Sequence, residues 1–220
     1  MDDTNGPRVF LASRNAKKLE EMRRILAEHV PDVEVLGLDD VTTYDEPVED
    51  RPTFEGNALL KAHAAVLATG LPSLADDSGL CVDALNGMPG VLSARWSGPP
   101  LGDKEGADAR NNELLLAQLE DVPDERRRAH FACAVAFAYP VGAGGVAEHV
   151  VHGEMAGRVI RELRGNNGFG YDVLFCADGH DVTTAELPSA EKDAISHRGK
   201  ALRAIAPLVA EALADEAGRR

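Results

Sequence analysis

Two adjacent carboxylates, Asp76 and Asp77, lie between apolar residues in the segment ADDSGL. Like charges this close repel each other unless a cation neutralises them, and Mg²⁺ commonly takes one or two carboxylates together with waters and substrate phosphates. The acidic loop before them offers Glu46, Glu49 and Asp50 as a further ligand. Asp, Ser and Gly are also ordinary turn residues, so a plain turn is the alternative interpretation.

A positively charged segment, SRNAKK, runs from Ser13 to Lys18 directly after the first predicted strand. A strand that enters a helix through Ser and Asn leaves backbone N–H groups at the helix N-terminus, where anions are favoured. Arg14, Lys17 and Lys18 add three positive charges at that point. The segment predicts a phosphate site. The alternative is a capped helix with solvated lysines, and no Walker A sequence, GxxxxGK[ST], is present.

Two segments of the C-terminal half carry groups that suit a nucleoside. In GNNGFGYD, at 165–172, glycines permit close approach of the backbone, and Phe169 and Tyr171 offer aromatic faces. The segment EKDAISHRGK, at 191–200, gathers hydrogen-bond donors, and its Arg198 presents a planar fork suited to carbonyl or phosphate oxygens. Taken singly, these segments are typical of a loop and a charged helix entrance. Their occurrence in one chain with the two segments above favours a nucleotide site.

Strands and helices interleave along the chain, with hairpins among them, which predicts a mixed-sheet α/β fold. Strict alternation in His130–Tyr139, with alanine on one face, predicts a buried strand against which another element packs closely. No long linker divides the chain, so we expect a single domain over 1–220.

The predicted strands are 8–12, 33–36, 73–75, 80–82, 130–139, 146–154 and 173–176. The first predicted helix begins near Ser13 or Asn15 and ends at Pro31. The other predicted helices are 53–69, 103–119, 189–195 and 200–217. The predicted loops are 39–52, 87–102 and 164–172.

The composition excludes several classes of function. The 23 Lys and Arg against 37 Asp and Glu give a net charge of −14, which argues against broad binding to nucleic acid or to an anionic membrane. No apolar run approaches the roughly 20 residues of a membrane span. The N-terminus lacks the features of a secretory signal, and the three cysteines form no CxxC pair. We therefore expect a cytoplasmic protein that can still hold a small anion where its cations concentrate.

Together these segments resemble the inosine/xanthosine triphosphate pyrophosphatase family, over about residues 8–205. The family patterns found here are [ST]xNxxK at 13–18, TFxxNAxxKA at 53–62, ADDSGL at 75–80, PGxxSAR[YW]SG at 89–98, GFGYD at 168–172 and AELxxxEKxAISHRG at 185–199. One departure lies before TF, where the family usually has ETG and this chain has EDRP at 49–52, which keeps the Glu.

The resemblance implies an elongated mixed β-sheet flanked by helices, with two lobes and an active-site cleft between them, in a homodimer. It implies Mg²⁺-dependent hydrolysis of ITP, dITP and XTP to the monophosphate and pyrophosphate. It makes Asp77 and Lys18 catalytic, and Asp77 and Glu49 metal ligands. The substrate-binding residues that it implies are Ser13, Arg14, Asn15, Ala16, Lys17, Lys18, Ser78, Phe169, Gly170, Tyr171, Asp172, Lys192, His197 and Arg198.

Two other functions fit part of the pattern. A Maf-like pyrophosphatase would act on modified pyrimidine or other nucleoside triphosphates, but the combination of GFGYD and SHRG argues for purines. A nucleotide sensor without turnover would gain little from carboxylates beside phosphates, so the Asp76–Asp77 pair argues against it. Pyrophosphate release stimulated by Mg²⁺ separates an enzyme from a sensor.

Overall fold

The computed structural model describes residues 6–14, 16–99 and 104–217. Its strands are β1 (Arg8–Leu11), β2 (Glu34–Leu36), β3 (Ser73–Val82), β4 (Met88–Pro89), β5 (Arg128–Val141), β6 (Gly145–Val159) and β7 (Phe175–Ala177). Its α-helices are α1 (Ala16–Ala27), α2 (Phe54–Thr69), α3 (Lys104–Gln118), α4 (Ser189–Ile195) and α5 (His197–Ala217). Short 3₁₀ helices occur in several of the connections.

The strands of the described residues form one mixed sheet, which confirms the predicted mixed-sheet α/β class. Their order is β2-β1-β3-β5-β6-β7, with β4 paired to β3. Strand β1 runs parallel to β2 and β3, whereas β4 is antiparallel to β3 and β7 is antiparallel to β6. No helix of the described residues is both long and apolar enough to cross a membrane.

The described chain divides into two compact units. The first comprises the chain up to Asp77, Ala134–His152 and the chain from Gly199 onward, and the second comprises Ser78–Cys133 and Gly153–Arg198. The single domain over 1–220 and the two-lobed shape stay predictions.

In the first unit, helix α2 packs on the alanine face of strand β5. Thr53 caps α2 by accepting a hydrogen bond from the backbone of Gly56, and Gly70 ends it at φ 70°. Small side chains let the helix and strand approach closely, as the alternation in the sequence predicts. The buried residues of this cluster are Ala58, Ala62, Val66, Ala75, Ala134, Ala136 and Ala138. The packing fixes the face of α2 that begins at Asn57, which is itself fully buried.

In the second unit, α3 and the segment that precedes β7 share a core. Leu115 of α3 and Leu119, which directly follows that helix, pack with Tyr171, Leu174 and Phe175, all at most 4% exposed. This core holds the glycine-rich loop against α3.

The structure corrects one prediction that matters for the site. The sequence predicts two short strands, 73–75 and 80–82, separated by a turn, but β3 is continuous through Asp76 and Asp77. The turn interpretation of the aspartates is therefore wrong.

The predicted loop 87–102 contains β4 and a 3₁₀ helix, Gly90–Arg95, so its interpretation as irregular is wrong there. Other boundaries move without changing the element. Strands β5 and β6 are longer than predicted, β7 begins at Phe175 because the residues before it form a 3₁₀ helix, and α5 begins at His197 instead of Lys200.

Candidate active site

The aspartates Asp76 and Asp77 are both buried in β3, at 5% and 9% exposure. Lys18 of α1 donates to both carboxylate oxygens of Asp76, with its Nζ 2.8 Å from Oδ1 and 2.7 Å from Oδ2. Asn57 of α2 donates through Nδ2 to Oδ2 of Asp77 over 2.9 Å. An ammonium group therefore compensates the charge of Asp76, whereas this hydrogen bond to Asp77 comes from a neutral amide.

Lys61 lies four residues after Asn57, on the same face of α2. Its Nζ donates to the backbone oxygen of Asp76 over 2.6 Å and to Oε1 of Glu49 over 2.7 Å, so it ties Glu49 to the aspartates. Burial lowers the pKa of Lys61, but the negative charges of Asp76 and Glu49 outweigh it and raise that pKa above its ordinary value. Lys61 thus keeps its charge. We call Lys18, Glu49, Asn57, Lys61, Asp76 and Asp77 the carboxylate cluster.

The carboxylate cluster holds three carboxylates and two ammonium groups, which leaves one negative charge in excess. Burial raises the pKa of Asp77, the charges of Glu49 and Asp76 raise it further, and the opposing effects of Lys61 and Asn57 do not cancel the rise. No group of three or more His, Cys, Asp or Glu side chains in the described residues is placed to hold a metal ion. Asp77 and Glu49 would supply two carboxylates, the number that Mg²⁺ takes when waters and phosphates complete its coordination.

Only part of the predicted phosphate segment can be placed. Lys18 reaches the aspartates, as described above. Arg14 is exposed and donates through Nε to Oε1 of Glu46 over 2.6 Å, so its guanidinium is engaged with the loop before α2. Ser13 directly precedes it, between β1 and α1. The rest of the segment, Asn15 and the side chains of Ala16 and Lys17, lies outside the described residues.

In the second unit, Asp172 organises the glycine-rich loop. Its Oδ2 accepts hydrogen bonds from Lys192 Nζ at 2.6 Å and from the backbone N–H of Phe169 at 3.0 Å. Its Oδ1 accepts from the hydroxyl of Thr184 at 2.8 Å. Asp172 is 6% exposed, and these partners satisfy its buried oxygen atoms.

Two glycines of this loop adopt the left-handed backbone conformation that favours glycine. Gly168 has φ 85° and Gly170 has φ 61°. A Cβ atom on Gly168 would overlap Asp172 Oδ2 and Lys192 Nζ, whereas one on Gly170 would meet nothing within 4 Å. A side chain at Gly168 would therefore displace the Asp172–Lys192 ion pair in addition to straining the backbone.

Arg198 lies in the first turn of α5 and joins the loop to strand β3. Its Nη2 donates to Ser78 Oγ over 3.1 Å, and its guanidinium carbon lies 5.8 Å from the ring centroid of Phe169. Phe169 is 38% exposed and presents an aromatic face. Tyr171 is buried in the core, and its hydroxyl donates to the backbone oxygen of Ser93 over 3.0 Å. The prediction that both aromatic rings offer a face to a ligand is therefore wrong for Tyr171.

His197 stacks on Phe131, with ring centroids 4.9 Å apart and planes at 9°. The imidazole is 9% exposed and lies beside Arg198 in the sequence. The predicted donors His197 and Arg198 thus belong to α5 itself. We call Ser78, Phe169, Asp172, Thr184, Lys192, His197 and Arg198 the loop cluster.

Sequence reasoning missed the residues that support the two clusters. Asn57 and Lys61 are four residues apart, a spacing that places both on one helix face. Asp108 and Asn112 of α3 have the same spacing and hold Gly170, because Asp108 Oδ2 accepts from its N–H at 2.9 Å and Asn112 Nδ2 donates to its oxygen at 3.0 Å. The available signal was the polar pair at this spacing on the largely apolar helix α2, whereas α3 carries too many polar residues for such a pair to stand out.

The sequence profile of the Ham1 family matches residues 9–208. The chain belongs to the Ham1 family. Its relatives include two proteins named dITP/XTP pyrophosphatase. The one from Nocardia farcinica is 60% identical over 94% of this chain and 97% of the relative, and the one from Frankia alni is 56% identical over 94% of this chain and 98% of the relative.

Solved structures of Ham1 relatives agree with this assignment. One, a nucleoside-triphosphatase / dITP/XTP pyrophosphatase from Mycobacterium abscessus, has 52% identity and a TM-score of 0.72 over 91% of this chain and 99% of that one. A HAM1 protein from Coxiella burnetii has 38% identity and a TM-score of 0.81 over 93% of this chain and 99% of that one. These findings confirm the resemblance inferred from the motifs and the mixed α/β Ham1 fold.

Proposed function

We propose that this chain hydrolyses dITP, ITP and XTP to the nucleoside monophosphate and pyrophosphate. One observation carries the proposal: the ammonium groups of Lys18 and Lys61 both donate hydrogen bonds to Asp76, which with Asp77 forms a pair of adjacent buried acids. This arrangement occurs in a Ham1 chain that is 60% identical to a protein named dITP/XTP pyrophosphatase. Cations beside carboxylates suit a substrate that brings phosphate charge and must be attacked by water.

The excess negative charge of the carboxylate cluster supports Mg²⁺ as the cofactor, with Asp77 and Glu49 as its protein ligands. When bound, Mg²⁺ supplies positive charge that stabilises the developing charge of the departing pyrophosphate. It would also offset the repulsion from Glu49 and Asp76, which adds to the effect of burial in raising the pKa of Asp77.

In the hydrolysis, Asp77 orients the attacking water and accepts its proton. The water oxygen forms a bond to the α-phosphorus, and the bond from that phosphorus to the bridging oxygen of the β-phosphate breaks. Pyrophosphate leaves with the bonding electron pair. Lys18 binds the phosphates together with the N-terminal segment, Ser13–Lys17, and Lys61 holds Glu49 and the Asp76 backbone in position. Preorganised cations of this kind stabilise the charge that develops in the transition state.

The loop cluster is proposed to bind the base and ribose. Phe169 offers a face on which a purine can stack, and Gly170 and the backbone at Tyr171 allow close approach. Arg198 and Lys192 donate toward the carbonyl at C6 of hypoxanthine or xanthine, with His197 beside them. Adenine carries an amino group at C6, so donors would face donors. Buried donors left unpaired can support discrimination on the order of 10⁴ in favourable sites.

A homodimer, which the resemblance implies, and a cytoplasmic location, which the composition and the N-terminus predict, belong to the same proposal. Analytical ultracentrifugation tests the first of these, because a dimer has twice the chain mass of 23.4 kDa.

Product analysis tests the reaction itself. With dITP and Mg²⁺, ³¹P NMR is expected to show the monophosphate and pyrophosphate as the first products. Appearance of a diphosphate and inorganic phosphate instead would place the attack at another phosphorus and overturn the proposal, and no turnover in the presence of binding would favour a sensor.

A further inference from the structure

A pocket of about 270 Å³ lies in the second unit, at the C-terminal end of α3 and away from the loop cluster in the sequence. Its lining residues are Leu116, Ala117, Glu120, Arg127 and Arg161. None of them belongs to the carboxylate cluster or the loop cluster, so the proposed hydrolysis leaves the pocket unexplained.

Arg127 is buried in this pocket without sufficient partners. The side chain is 2% exposed, and its Nε and Nη1 have no hydrogen-bond partner among the described residues. A buried donor without an acceptor is destabilising, and more so when it is charged. Burial lowers the pKa of Arg127, the neighbouring charge of Arg161 lowers it further, and Asp124 raises it only in part. Arginine nevertheless stays protonated in proteins, so the cation remains.

Arg161 is the second cation of the pocket and is fixed in place. Its Nε donates to Asp124 Oδ1 over 2.7 Å, its Nη1 to the backbone oxygen of Glu120 over 3.2 Å, and its Nη2 to that of Val122 over 3.0 Å. These bonds hold the guanidinium against the turn that follows α3. Asp124 is thereby engaged with Arg161, and Arg127 still lacks an acceptor for two of its nitrogens.

We propose that this pocket binds a small oxyanion, a phosphate or carboxylate group, between the guanidinium groups of Arg127 and Arg161. The planar fork of arginine matches both groups, and such charge-assisted hydrogen bonds are the strong ones. An anion in the pocket would offset the repulsion between the two cations and the uncompensated charge of Arg127. A water molecule in the pocket would supply no charge. The site goes beyond the proposed hydrolysis and does not depend on it.

The test follows the Arg127 side chain directly, because phosphate also binds where substrate phosphates would. The Nε–Hε resonance of Arg127 is observed by ¹⁵N NMR while inorganic phosphate, and separately acetate, is added at constant ionic strength. A saturable shift is expected with at least one of them, and the tighter of the two identifies the group. Arg161→Gln is expected to weaken this binding about tenfold, since it removes a charge-assisted contact. Glu120→Gln is expected to tighten it, since it removes a negative charge from the lining.

Arg128→Gln is the matched control. Arg128 is the next residue, is half exposed and pairs with Asp178, so its loss removes the same charge without touching the pocket. Binding in this variant is expected to stay within twofold of wild type. Equal weakening by Arg128→Gln and Arg161→Gln would show a general charge effect and overturn the proposal. So would the absence of any saturable shift with both anions.

Discussion

The ammonium of Lys18 donates to both carboxylate oxygens of Asp76, at 2.8 and 2.7 Å, while the adjacent Asp77 accepts from the neutral amide of Asn57 at 2.9 Å. The two acids are neighbours in one strand but differ electrostatically. Asp76 is paired with a cation, whereas burial and neighbouring carboxylates raise the pKa of Asp77. A group with a raised pKa is a better proton acceptor when ionised, which favours Asp77 over Asp76 as the base.

Asp77→Asn tests that division of roles. It keeps the side-chain shape but removes the proton acceptor, so kcat with dITP is expected to fall by about 10²–10⁴. The melting temperature at pH 7 is expected to stay equal or rise, because a repelled buried charge is removed. Asp83→Asn, at an exposed acid of the same strand region, is the control and should retain full activity. More than a tenth of the wild-type kcat in Asp77→Asn would remove Asp77 from the mechanism.

The raised pKa of Asp77 makes the stability of the metal-free protein depend on pH in a definite direction. A carboxyl whose pKa is higher in the folded state favours folding when protonated, and this contribution is lost as pH rises through the folded pKa. The free energy of unfolding of Asp77→Asn minus that of wild type should therefore grow from about pH 4 upward and then level off. Chemical denaturation from pH 4 to 8 measures it.

Lys61→Gln tests the cause of the raised Asp77 pKa, because Lys61 is the neighbour that lowers this pKa most. A ¹³C NMR titration of the Asp77 carboxyl should show a higher pKa in this variant than in wild type. An unchanged or lower pKa would contradict the electrostatic account of the carboxylate cluster.

Substitutions of Arg198 test the proposed recognition of the purine base. Loss of a charged donor to the C6 carbonyl should lower kcat/KM for ITP by about ten- to a hundredfold in Arg198→Ala, and for ATP far less. Arg198→Lys should restore little, because an ammonium group lacks the planar fork that reaches Ser78 and covers Phe169. Arg203→Ala, an exposed position of the same helix, serves as the control. Equal losses for ITP and ATP would exclude Arg198 from base selection.

Gly168 and Gly170 form a matched pair for testing the loop. Both have positive φ, so alanine at either position costs about 1–2 kcal/mol of backbone strain. Only at Gly168 would the added Cβ also displace the Asp172–Lys192 ion pair. Gly168→Ala is therefore expected to lower the free energy of unfolding by at least twice as much as Gly170→Ala in urea denaturation. Equal effects would show that the ion pair does not depend on that space.

The sequence was informative where local chemistry decides the structure. The boundaries of α2 follow from Thr53 and Gly70, and the close packing of α2 on β5 follows from the alternating alanines. The prediction for strand β3 was wrong because Asp and Gly favour turns locally. Hydrogen bonds from Lys18 to Asp76 and from Asn57 to Asp77 allow both carboxylates to be buried in a strand.

Partners that are distant in sequence account for most of the remaining gaps. Glu49 reaches the aspartates only through Lys61, and Asp172 is organised by Thr184 and Lys192. The burial of Tyr171 likewise depends on the core beneath it. None of these contacts leaves a local pattern in the chain.

The most direct test of the central claim is pyrophosphate release at saturating Mg²⁺, with ITP, XTP, dITP, GTP and ATP compared side by side. The proposed function predicts that kcat/KM for the first three exceeds that for GTP and ATP by at least about a hundredfold, or about 2.7 kcal/mol. Similar values for all five nucleotides, or slow turnover of each, would contradict the proposed function. Similar values for ATP and the first three would show that the loop cluster does not select a purine with a carbonyl at C6, whereas the comparison with GTP, which shares that carbonyl, tests selection at C2.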